Sequence, residues 1–207
     1  DDDLIDGAQT SSLTIAVIDA ISDDNFDSVA DQTVSVTTTD DDVAGFTITE
    51  TGGSTSVDES GTTDTFTVVL DAEPSSDVVL TISSADTGEA TVTSTLTFTS
   101  ANWDTAQTVT VTGADDDLID GTITSTITVS VNDGSSDDNF DSVSDQTISV
   151  ATTDDDVAGF TIALTGGSTS VDESGTTDTF TVVLDAQPSS DVVLSISSAD
   201  TGEATVT

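Results

Sequence analysis

From residue 45 onward, apolar side chains fall on alternate positions with Thr or Ser between them. Phe66, Val68 and Leu70 do so in DTFTVVL, Val109 and Val111 in QTVTVT, and Ile127, Val129 and Val131 in ITSTITVSV. Period two marks a strand with one face in a core and the other in water, not a helix. On this basis strands are predicted near 45–50, 64–70, 77–83, 89–93, 95–99, 107–112, 123–131 and 146–152. Gly52, Gly53, Gly61, Pro74, Gly88, Gly113 and Gly121 punctuate them as turn residues. Seven or eight short strands without helices predict an all-β, immunoglobulin-like Greek-key β-sandwich.

The pattern repeats. DDDLIDG stands at 1 and 115, DDNFDSV at 23 and 137, DDDVAGF at 40 and 154, and VDESGTTDTFTVVLDA at 57 and 171, each offset by 114 residues. Residues 1–93 and 115–207 differ at 16 of 93 aligned positions, mostly by swaps such as Leu13 for Ile127 or Ile15 for Val129. A period of 114 is too long for one turn of a solenoid and suits an independent domain. The predicted organisation is therefore tandem domains: 1–43 the C-terminal part of one repeat, 44–157 a complete sandwich, and 158–207 the N-terminal part of the next. The counterpart of 94–114 is missing from the two flanking pieces, so the chain reads as a window on a longer array.

Composition narrows the partners. The 207 residues carry 41 Asp and Glu, no Lys, Arg or His, and a formal charge of -41, with 34% hydrophobic residues. That apolar share is too large for an acidic disordered tail. Nucleic acid and anionic lipid bind through Lys and Arg, so both are excluded and cations remain. No run of 18 apolar residues marks a membrane span, so no insertion is expected, and no signal peptide is evident. Cys is absent, so disulfides cannot hold the fold. With no His, Cys, Lys or Arg and no G-x-S-x-G elbow, an enzyme is not expected either.

The acids are unevenly spread. Of the 22 between 44 and 157, most collect in predicted loops: Asp58 and Glu59, Asp86 and Glu89, Asp115 to Asp120, Asp137 to Asp141, and Asp154 to Asp156. Loops alternate between the two ends of a sandwich, so several clusters can meet at one tip. Carboxylates without His or Cys suit hard cations, and Ca2+ tolerates irregular oxygen cages better than Mg2+ does. The other reading, a solvated acidic surface, fits scattered residues such as Asp64 and Asp77. In DDNFDS, Asp137, Asn139 and Asp141 have the D-x-N-x-D spacing of a calcium loop without its glycine and distal glutamate; a hairpin loop with Phe140 tucked inward reads as well. Trp103, the one tryptophan, reads as a loop-to-core anchor rather than a ligand platform.

These residues resemble the Calx-β domain, a calcium-binding sandwich found in sodium-calcium exchangers and in large bacterial surface proteins. VDESGTTDTFTVVLDA is similar to the family's V-x-E-x-x-G opening and F-x-V-x-L strand. LTFTSANWDTAQTVTVTGADDD is similar to its L-x-F, loop, V-x-V strand and acidic loop, and the triple aspartate to its acidic exit. SSADTGEATVT stands in place of the family's D-G-T-A signature. The resemblance implies that Glu59, Asp86, Asp115, Asp116, Asp117, Asp120, Asp154, Asp155 and Asp156 gather at the C-terminal tip and hold Ca2+. In the flanking copies the same positions are Asp1, Asp2, Asp3, Asp6, Asp40, Asp41 and Asp42 on one side and Glu173 on the other.

The function expected from this is a calcium-rigidified stalk or filament segment of a long secreted or cell-surface adhesin or matrix protein. Its partners would be calcium ions and neighbouring repeats, with possible lateral self-association into fibres. The alternative is a carbohydrate- or ice-binding module presenting Thr-rich strand faces such as TVTVT at 108–112, although Thr on exposed strands usually reflects β-propensity alone.

Overall fold

A computed structural model describes residues 2–206, and Asp1, an expected ligand, lies outside them. The first strands, β1 (Gln9–Ile15) and β2 (Gln32–Thr38), form an antiparallel hairpin. Next in the chain comes the sandwich: β3 (Phe46–Glu50), β4 (Thr55–Asp58), β5 (Thr63–Leu70), β6 (Val78–Ser84), β7 (Ala90–Val92), β8 (Thr95–Phe98), β9 (Gln107–Gly113), β10 (Ile123–Val131) and β11 (Gln146–Thr153). A last antiparallel pair, β12 (Phe160–Leu164) and β13 (Phe180–Leu184), completes the described elements. Among the described residues no helix is long and apolar enough to cross a membrane.

Two sheets face each other, one ordered β3-β5-β9-β7 and the other β4-β11-β10-β6-β8. The chain crosses between them repeatedly, from β5 to β6 and from β8 through β9 to β10, which is the Greek-key, immunoglobulin-like pattern. Alternation explains the core: Phe66, Val68, Leu70, Val109 and Val111 from one sheet meet Leu80, Ile82, Phe98, Ile127, Val129 and Val150 from the other. Their Thr neighbours on the same strands point outward. Trp103 packs at the margin of this core, and its carbonyl accepts the Leu70 N–H at 3.1 Å.

Strand β4 lies outside the strands that alternation predicts. TSVD carries a single apolar residue, too little for a period to register. It forms because Gly52 (φ 76°) and Gly53 (φ 86°) take left-handed backbone and turn the chain from one sheet to the other. There β4 pairs in parallel with β11, Thr55 opposite Val150 and Asp58 opposite Thr153.

Outside the sandwich, the same apolar positions find no cover. Ile127 is fully buried, while Leu13, which aligns with it at the 114-residue offset, is 56% exposed on β1.

Candidate metal centre

Because β4 and β11 run parallel, they end at the same end of the sandwich. Thr153 seals the two ends: its carbonyl accepts the Glu59 N–H at 3.1 Å, and its hydroxyl donates to Asp58 at 3.0 Å. The β6–β7 turn (85–89) and the β9–β10 loop (114–122) reach this end as well. The Ala114 N–H donates to the Glu89 carbonyl at 2.8 Å, and the buried Thr152 hydroxyl donates to it at 3.3 Å. Gly113 permits the close approach, since a Cβ there would collide with the backbone carbonyl of Asp58. Four chain segments thus deliver carboxylates to one place.

Glu59 is 1% exposed, and among the described residues neither of its carboxylate oxygens has a hydrogen-bond partner. Glu89 is 6% exposed, with Oε2 unpartnered, and Asp156 leaves Oδ2 unpartnered. Two sets bring one carboxylate oxygen from each member within 4.8 Å of one another: Glu59, Asp116 and Asp156, and Glu89, Asp116 and Asp120. Asp116 belongs to both. Around them Asp154 acts as a fastener, accepting the Gly121 N–H at 2.8 Å and the Asp156 N–H at 2.8 Å. Asp116 likewise accepts the Leu118 N–H at 2.7 Å.

The electrostatics arise from this crowding. Burial, reinforced by Asp116, Asp154, Asp120 and Glu89, pushes the Glu59 carboxyl up to about 7. Burial also raises Glu89, with Asp120 and Asp86 adding to it, and raises Asp156, with Asp117 and Asp154 adding. Asp154 is held below the usual carboxylate range by the Gly121 and Asp156 N–H groups. A buried carboxylate lacking both partner and donor is costly, and the chain has no basic residue to balance it. A hard cation relieves all of these groups together. The donors are carboxylate oxygens only, which suits Ca2+ or Mg2+ and offers nothing to softer metals.

The remaining expected ligands fall in five places. Asp115, Asp117 and Asp155 are exposed beside Asp156. Asp86 caps its own turn, accepting the Gly88 N–H at 3.0 Å, and stands outside both sets; Glu89, three residues on, occupies the position inside. Near the N-terminus Asp40 accepts the Asp6 and Gly7 N–H groups at 3.0 and 2.6 Å, as Asp154 does with Gly121, and Asp42 is raised by burial and by Asp40, Asp41, Asp3 and Asp2. Glu173 is exposed. Asp137, Asn139 and Asp141 lie on the β10–β11 loop at the opposite end. There Asp137 is 3% exposed, and its oxygens accept the Ser75 hydroxyl (2.7 Å), the Ser76 N–H (2.9 Å) and the Asn139 N–H (3.0 Å). Burial lifts its pKa, but these donors together outweigh that and hold it below the usual range.

Sequence reasoning places Glu89 in an acidic loop without making it a ligand. The available signal is its place immediately before Ala90, which opens a strand and is fully buried.

No protein-family model matches the chain, and no curated protein does. Solved structures similar to part of it include the Escherichia coli chaperone DraB (9% identity, TM-score 0.40), covering 57% of this chain and 59% of the chaperone. The apo form of the Calx CBD1 domain is similar at 16% identity and TM-score 0.38, over 54% of this chain and 98% of that one. Domains 4 and 5 of the S-layer protein SbsC are similar at 20% identity and TM-score 0.35, over 59% of this chain and 63% of theirs.

Proposed function

We propose that the tip of the sandwich binds calcium in two adjoining positions, Glu59–Asp116–Asp156 and Glu89–Asp116–Asp120, with Asp116 shared between them. Asp115, Asp117, Asp154 and Asp155 complete the negative rim. The observation that carries this reading is Glu59: a buried carboxylate with both oxygens unpartnered, among further acids, in a chain without one positive side chain.

On this reading the chain is a structural spacer. The acidic loop 114–122 also touches the segment beyond β13, since its Asp117 carbonyl accepts the Gln187 N–H at 2.6 Å. An ion held by that loop stiffens the junction between successive repeats, and a long secreted or cell-surface protein, such as an adhesin stalk or matrix filament, gains rigidity where calcium is plentiful. Near-identical copies suit a spacer, because separate binding roles need separate loops. Catalysis is not part of this reading.

Calcium titration of the chain by calorimetry, beside melting curves and small-angle scattering with and without ion, tests it. The expected result is saturable binding, a rise in melting temperature and a lengthened, straighter particle. A melting curve indifferent to calcium sinks the site; an indifferent scattering profile alone sinks the spacer role.

A further inference from the structure

The opposite end of the sandwich is built as carefully as the tip, and by a carboxylate that the metal reading leaves unused. Asp137 joins two loops. Its oxygens hold Ser75 and Ser76 of the β5–β6 loop and the Asn139 N–H of its own short 3-10 turn, Asp138–Phe140. Its own N–H donates to the Asp77 carbonyl at 3.0 Å, and Phe140 beside it is fully buried. These bonds weld the two loops into one surface.

Onto that surface comes the acidic loop of the preceding piece. Leu4 pairs with Glu73 in a parallel bridge: the Glu73 N–H donates to the Asp3 carbonyl at 2.7 Å and the Ile5 N–H to the Glu73 carbonyl at 3.2 Å. The Ile5 side chain packs against the hydrophobic core of the sandwich. The Asn139 side-chain amide donates to the Ile5 carbonyl at 3.4 Å. The same bridge recurs 114 residues on, between Leu118 and Gln187. There Ile119, the counterpart of Ile5, is 45% exposed.

We propose that the base of each sandwich is a socket for the Leu-Ile step of the preceding acidic loop, assembled by Asp137 as a positioning residue, and that this docking does not need the ion. The occupant is the sequence D-L-I-D of the neighbouring repeat. Its carboxylates turn to the metal centre of their own repeat, while its backbone and its isoleucine enter the next. Calcium then adds stiffness to a register that the socket has already chosen.

The test is amide hydrogen exchange by NMR on the whole chain in metal-stripped buffer. The Ile5 and Glu73 amides are expected to exchange at least about tenfold more slowly than in a Leu4→Ser/Ile5→Ser variant, whose β10 and β11 amides should be unchanged. Asn139→Ala should lose part of that protection and leave calcium affinity at the tip as it was. Free exchange at Ile5 and Glu73 while the sheets stay protected overturns the proposal. Loss of the sheet amides as well also counts against it, because the socket then exists only with the ion. A chain that binds no calcium yet keeps these amides protected sinks the metal reading and leaves this one standing.

Discussion

Thr153 fixes Glu59: the carbonyl of the one takes the N–H of the other at 3.1 Å, across the ends of two parallel strands. That bond fixes the Glu59 backbone at the sheet corner, where its side chain is buried. Replacing it with glutamine removes the buried charge and keeps the shape. Glu59→Gln is expected to melt higher than the parent in metal-stripped buffer and to bind calcium at least about tenfold more weakly, about 1.4 kcal/mol. Paired calorimetric melts and titrations measure both signs at once.

Asp116 is the shared member of both carboxylate sets. Asp116→Asn should lower the number of ions bound as well as the affinity, whereas Asp86→Asn, at a residue engaged with Gly88, should alter neither. Titration stoichiometry separates the two.

The pH dependence has a definite sign. Glu59, raised to about 7, keeps a proton in the fold that the unfolded chain has released, and Glu89 and Asp156 are shifted the same way. The Glu59 contribution is present below the ordinary carboxylate range and is lost as pH rises through about 7, and those of Glu89 and Asp156 are lost in the same direction. Asp58, Asp137 and Asp154 are shifted downward, so their contribution fades only in stronger acid. The ion-free protein should therefore melt lower at about pH 8 than at about pH 5.5. With saturating calcium the trend should reverse, because the ligands must shed their protons to bind. Melting curves across this range in both buffers check the crossover.

Gly113 lets the Asp58 backbone lie against β9. Gly113→Ala should push that corner outward, costing about 1–3 kcal/mol of stability and weakening calcium binding through displaced Glu59. Denaturant melts and titration report the two effects.

Asp137→Ala strands the donors it now satisfies and should cost about 1–3 kcal/mol, with calcium affinity at the tip unaltered. A large loss of affinity would instead restore the D-x-N-x-D segment as a metal loop.

Much of this is legible in the chain. Strict alternation around Phe66 and Val109 places those strands, because half-buried sheets impose period two. The clustered aspartates are visible too, but proximity in sequence does not say which carboxylates a fold will bury. Glu89 enters the cluster and Asp86 does not because a turn consumes the latter, and turn hydrogen bonds leave no periodic trace. Strand β4 is hidden for a related reason: TSVD owes its place to its neighbour β11 and to two left-handed glycines, not to its own apolar content. Asp137 has the spacing of a calcium loop and equally that of a hairpin loop with Phe140 inward, and the hydrogen bonds it accepts from Ser75 and Ser76, 62 and 61 residues away, leave no trace in the local sequence.

The parallel pairing of β4 with β11 also sets how the domain answers a pull. The chain enters the sandwich beside the β5–β6 loop, where the Asp71 N–H meets Gly45, and leaves it past Thr153 at the other end. Tension passed through β3 into β4 pulls β4 and β11 in opposite directions, loading their hydrogen bonds in shear. A hairpin unzips one rung at a time, but this clasp yields only when every rung fails at once.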